Sequence, residues 1–122
     1  MGNVLATCPN TGVKFSDIKI NDPIGTCPIT VNYVAVGTGN NTITISSDGK
    51  TWIGLGKTIF SSYGLDIIYN NVQKIWVAVG SGKNSIATSN NGVNWTGLGT
   101  TILLSCNKIK YSNNTYIIVG IG

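Results

Sequence analysis

Residues 33–56 read YVAVGTGNNTITISSDGKTWIGLG, and residues 76–99 read WVAVGSGKNSIATSNNGVNWTGLG. The two stretches align without a gap at an offset of 43 residues. They share Val-Ala-Val-Gly, an Asp/Asn-Gly pair, a Trp and a closing Gly-Leu-Gly, and each runs into a similar tail, Lys57-Thr58-Ile59-Phe60 and Thr100-Thr101-Ile102-Leu103. A third copy opens at Tyr116-Ile117-Ile118-Val119-Gly120, and its remainder stands at the other end of the chain. There Ala6-Thr7 aligns with Ala87-Thr88, Gly12-Val13 with Gly92-Val93, and Phe15 with Trp52 and Trp95. Self-similarity at a period of about 40 residues is the mark of a repeat architecture, in which each unit buries its apolar face against the next. The expected division is a split repeat of 106–122 plus 1–20, a repeat of 21–64 and a repeat of 65–105, within one domain spanning 1–122.

Within a repeat every local signal is β. Short β-branched and aromatic runs are punctuated by Gly, Asn and Asp, and no stretch holds a helical period. The clearest copy predicts strands over 66–69, 75–80, 85–89 and 93–98, and the last residues predict two more over 106–111 and 116–120. Asp48-Gly49 and Asn91-Gly92 read as two-residue hairpin turns. The Gly-rich segments 37–41 and 80–84 join second strand to third.

Composition removes whole classes of chemistry. The chain has 122 residues, with eight Lys and four Asp for a net charge of +4, and contains no Arg, Glu or His. Without His there is no imidazole base, no Ser-His-Asp or Cys-His arrangement and no His-ligated metal. Without Arg there is no bidentate clamp for phosphate or carboxylate. The lysines are scattered, which argues against nucleic acid as a partner. No cofactor motif is visible, and three cysteines, Cys8, Cys27 and Cys106, lack zinc-ligand spacing and read as free thiols, with one disulfide plus one free or intermolecular thiol as the alternative. No apolar run is long enough to span a bilayer and the first residues do not read as a secretory signal, so insertion into a membrane is not expected and the compartment stays open, a cytoplasmic or virion-associated setting included. The richness in Asn, Ile and Lys is that of a low-GC microbial or viral genome.

The segment Ser46-Ser47-Asp48-Gly49-Lys50-Thr51-Trp52 resembles the Asp-box, S-x-D-x-G-x-x-W, of sialidase-like β-propellers, one residue shorter between Asp and Gly. Residues 8–15 keep the full spacing with Cys, Asn and Phe substituted, and Ser89–Trp95 carries Asn for Asp. The whole unit is similar to repetitive propeller repeats of some bacterial, phage and giant-virus proteins. The resemblance implies an all-β propeller of four-stranded blades, three per chain. It implies structural roles for Asn10, Gly12, Ser46, Asp48, Gly49, Ser89, Asn91 and Gly92 in the blade turns. Sialidase activity would need an arginine cluster, which this chain lacks.

Rings usually have four to eight blades. Three blades call for a partner, and two chains supply six. Residues 3–7 and 13–19 of one subunit are the strands that the C-terminal strands of another await, which predicts a strand-exchanged homodimer, with a trimer as the alternative. A self-closed threefold β-trefoil or β-prism is the rival fold. The expected function is a non-catalytic structural or adhesive module. The alternative is a lectin-like module binding glycans at repeated loops, with Asn40, Asn41, Thr42, Lys83, Asn84 and Ser85 as the candidate ligand residues. The repeated aromatics, Trp52, Trp95 and Phe15 in one set and Tyr33, Trp76 and Tyr116 in the other, are expected to pack between units.

Overall fold

The computed structural model describes residues 30–122, and these contain only antiparallel β-structure. Nine strands follow in order: β1 (Tyr33–Val36), β2 (Ile43–Ser46), β3 (Ile53–Gly54), β4 (Tyr63–Asn70), β5 (Ile75–Ser81), β6 (Ile86–Ser89), β7 (Thr96–Gly97), β8 (Ser105–Ser112) and β9 (Thr115–Ile121). The middle unit is a meander, β4 pairing β5, β5 pairing β6 and β6 pairing β7. The first unit supplies β1–β2–β3 in the same register, Tyr33 opposite Ser46 as Trp76 is opposite Ser89. The last supplies the β8–β9 hairpin, joined to the middle sheet where Ser105 pairs Ser81. Both long first strands carry a bulge, at Gly64/Asp66 and at Cys106/Lys108.

The alternation of the second strand decides how units stack. Ala78 points back, into a cluster with Ile43, Phe60 and Ala87 against which Val34 and Val36 of the first unit pack. Val77 and Val79 point forward, into a cluster with Cys106 and Ile109 joined by Tyr116 and Ile118 of the last unit. Small Ala on one face and branched Val on the other let adjacent sheets approach closely. The Ile-Phe tail explains itself here, because Phe60 is fully buried between the first and middle units and Leu103 takes the matching place one unit on. Tyr69 opposite Trp76 and Tyr111 opposite Tyr116 form equivalent cross-strand ring pairs, each with centroids 4.7 Å apart.

The turns differ from the sequence expectation in an instructive way. The β2–β3 and β6–β7 connections are not two-residue hairpins, since only Gly49 (φ 79°) and Gly92 (φ 81°) are left-handed, and residues 47–52 and 90–95 all lie in the loops. The fourth strand shrinks to Thr96–Gly97 because Val93 and Asn94 donate their N–H groups to the Asn91 side chain instead of to β6. The tight two-residue turn is at Asn113-Asn114 (φ 51° and 61°), between the paired Ser112 and Thr115.

Gly-Leu-Gly is also structural. The Asn84 side chain lies directly over Gly97, where a Cβ would collide with its amide, and Asn41 lies over Gly54 in the same way. Gly97→Ala therefore costs about 1–3 kcal/mol by overpacking. Asn84→Ala also destabilises, by leaving backbone groups without partners. In a double-mutant cycle followed by denaturant unfolding at fixed protein concentration, the two losses add to less than their sum, because the methyl group introduced at position 97 occupies the space the amide vacates. Strict additivity would contradict this packing.

Candidate functional site

Two ends of the sheets present repeated side-chain clusters. At the end where third strand turns to fourth, the Ser46 hydroxyl donates to Asp48 Oδ1 (3.1 Å) and accepts from the N–H groups of Asp48 and Gly49 (3.2 and 2.8 Å). Asp48 Oδ1 then accepts from Lys50 and Thr51 N–H (2.7 and 2.9 Å). The middle unit repeats the arrangement with Ser89, Asn91 and Gly92, at distances within 0.2 Å of these. A short polar side chain that captures two successive N–H groups is the Asx geometry. The N–H groups of Thr51 and Lys50 hold the exposed Asp48 carboxyl below the ordinary aspartate range. Trp95 folds over its turn, Nε1–H donating to Gly92 O at 2.7 Å, while its counterpart Trp52 is 43% exposed.

At the opposite end lie the residues expected to meet a ligand. Thr42, Asn84 and Ser85 are buried, and their polar atoms are taken by backbone. Thr42 donates to Phe60 O (2.7 Å) and Ser85 to Gly99 O (3.1 Å). Asn84 accepts from Gly99 N–H (2.8 Å) and donates to Ile59 O (2.7 Å), so it stitches the middle unit to the tail of the first. Asn41 is exposed yet accepts from Gly56 N–H (2.8 Å). Asn40 and Lys83 are exposed. This set is brought to one end, but its inward members serve as staples of the fold.

Two further polar clusters join the middle unit to the last. Asn70, buried, accepts from Val72 and Gln73 N–H and donates 2.8 Å to the Tyr116 hydroxyl, which itself donates to Gln73. Asp66, at the bulge of β4, accepts from Ile67 and, across the unit boundary, from Ile109 N–H at 3.0 Å. Both described aspartates, Asp48 and Asp66, thus accept from backbone donors, and among the described residues no three His, Cys, Asp or Glu side chains gather as a metal site would need. No helix of the described residues is long and apolar enough to cross a membrane. Cys106 is a free buried thiol, raised above its ordinary pKa by burial. Beside the Asx turn of the middle unit, Tyr69, Trp76, Val31, Asn32, Asn90 and Asn91 line an open groove of about 360 Å³. Asn10, Gly12, Phe15, Cys8, Cys27 and the strands expected over 3–7 and 13–19 lie outside the described residues.

Comparisons with known protein families, with curated proteins and with solved structures give no significant match. Function is therefore read from the geometry above.

That geometry makes the Asp48 turn sensitive to acid. A carboxyl whose pKa is depressed by folding contributes its stability in full above the unfolded value of about 3.9 and loses it as pH falls toward the folded value. Asp48→Asn keeps the turn, as Asn91 does in the next unit, and removes the titration. Between about pH 5 and about pH 3, the melting temperature of the wild type is expected to fall more than that of Asp48→Asn. Equal falls would show that the turn does not depend on the charge.

Proposed function

We propose that this chain is a non-catalytic β-propeller module of three blades, which closes with a second copy into a ring of six and serves as a structural or adhesive unit. One observation carries the reading. Val34 and Val36 pack half-buried against the middle unit, and Val77 and Val79 are 5% and 0% exposed beneath the last unit. Their counterparts in the last unit, Ile117 and Val119, are 57% and 53% exposed. The face that joins each unit to its successor is therefore finished twice and open the third time. The first unit carries the matching surface: Ala35 and Trp52 stand where Ala78 and Trp95 receive Val34 and Val36. Apolar area of this kind, left to water, is a docking surface.

Light scattering on a sizing column under reducing conditions tests this. The expected mass is twice 12.8 kDa, and Ile117→Lys is expected to lower it to that of one chain, since a charge cannot enter an apolar contact unpaired. A folded wild-type monomer overturns the ring.

The open groove favours a second reading, in which the module binds glycans. Tyr69 and Trp76 offer ring faces and Asn90 an exposed side-chain amide, the combination that meets the apolar face and hydroxyls of a sugar. The site then lies at the turn end, away from the loops expected from sequence. A glycan array with wild type and Tyr69→Ala decides it. Saturable binding lost in the variant supports the reading, and an array without signal removes it.

A further inference from the structure

We propose that the edge of β9 left open among the described residues is completed by residues 5–8 of a second copy, added antiparallel with Leu5 opposite Val119, Ala6 opposite Ile118, Thr7 opposite Ile117 and Cys8 opposite Tyr116. The inference rests on the two-chain reading above and assigns the segment and register that the ring closure uses.

In the middle unit the second strand has two partners. β5 lies between β4 and β6, with Trp76 opposite Ser89, Val77 opposite Thr88, Ala78 opposite Ala87 and Val79 opposite Ile86. In the last unit β9 pairs β8 and ends the described sheet. Among the described residues its outer row of N–H and C=O groups has no partner strand, and such a row is a template for a further strand. Residues 3–8, Asn-Val-Leu-Ala-Thr-Cys, repeat the alternation of residues 84–89, Asn-Ser-Ile-Ala-Thr-Ser. The stated register follows by transferring the β5–β6 pairs to these positions.

Each position has a physical reason to fit. Ala87 is fully buried in the cluster that holds Phe60, and Ala6 brings the same size to the corresponding place. Ile86 packs onto the Val77 and Val79 cluster, so Leu5 lands beside Ile117 and Val119, the two side chains left bare. A one-residue slip would turn Leu5 to the wrong face and forfeit that contact. Donation between copies follows from the stacking order. The first and last units lie on opposite sides of the middle one, so their open surfaces point apart. Two chains need each turn through only half a circle for one chain's end to meet the other's start.

Disulfide trapping reads the register directly. Gly80 N–H donates to Ser85 O, which makes that pair hydrogen-bonded and places the 77/88 and 79/86 pairs at the closer, non-hydrogen-bonded sites. Thr7→Cys with Ile117→Cys therefore sets two Cβ atoms within disulfide reach. Cys8→Ser, the residue found at position 89, removes a competing thiol. Mild oxidation is expected to give a covalent dimer that reductant dissolves, and the out-of-register pair Thr7→Cys with Val119→Cys is expected to give none. Consumption of both thiols at the mass of one chain would show docking in cis and overturn the proposal. A dimer by light scattering with no crosslink overturns the register while leaving the dimer; a monomer with no crosslink removes both. Ala6→Pro gives a second reading, because it deletes the N–H that the Ile118 pair requires. Loss of the dimer with the β-rich far-ultraviolet spectrum kept is expected, and an undiminished dimer would overturn the strand addition.

Discussion

A narrow antiparallel sheet with apolar residues on both faces cannot cover itself, and this constraint organises the whole chain. In the second strand of each unit, successive side chains belong to different interfaces: Ala78 to the unit before, Val77 and Val79 to the unit after. Period-two alternation, which in a single exposed sheet would separate core from solvent, here separates one neighbour from the other. Burying a Val side chain contributes about 1.5–3 kcal/mol, so the two valines alone make a unit without a successor markedly less stable than one with it. Stability is then shared between units, not stored within them.

Polar groups make the sharing specific. The Asn84 bridge to Ile59, the Asp66 bridge to Ile109 and the Asn70 bond to Tyr116 each cross a unit boundary. The net gain from any one such bond is only about 0.5–1.5 kcal/mol, but losing one partner strands the other at greater cost. A slip between the first and middle units would keep much of the apolar contact and lose the Asn84 bond, and a slip between the middle and last units would lose the other two. The bonds therefore fix the angle between units, and with it the curvature of the stack.

The repeat was legible because it is written twice without a gap, and the positions of β4, β5, β8 and β9 follow from their β-branched and aromatic runs to within a few residues. The turns were not. An Asp-Gly pair reads as a left-handed hairpin, yet Asp48 and Asn91 keep ordinary backbone and use their side chains to hold two N–H groups. Nothing local distinguishes the two outcomes. Asn84 and Ser85 read as surface loop residues for a similar reason: their burial depends on Gly97 and Gly99, distant in sequence, which clear a space and present an N–H. The signal existed in the recurrence, since Asn41 stands to Gly54 and Gly56 as Asn84 does to Gly97 and Gly99. Recurring Asn with recurring Gly points to a contact between them more than to a ligand.

The proposed ring joins the last face of one stack to the first face of another, a heterologous interface with only two fates. It closes into a ring when the rotation per unit divides the circle, and otherwise it propagates as a filament. The rotation is set by how closely sheets approach at Ala78 and Phe60 on one side of a unit and at Cys106 and Ile109 on the other, and by the bulges that bend β4 and β8. A larger side chain at Ala78 would open the wedge between units and change the number that closes. The unit angle thus governs both solubility and assembly. With Ile117 and Val119 more than half exposed, the two-chain ring proposed above needs one further kind of interface, and the small residues that line the buried interfaces would set its angle.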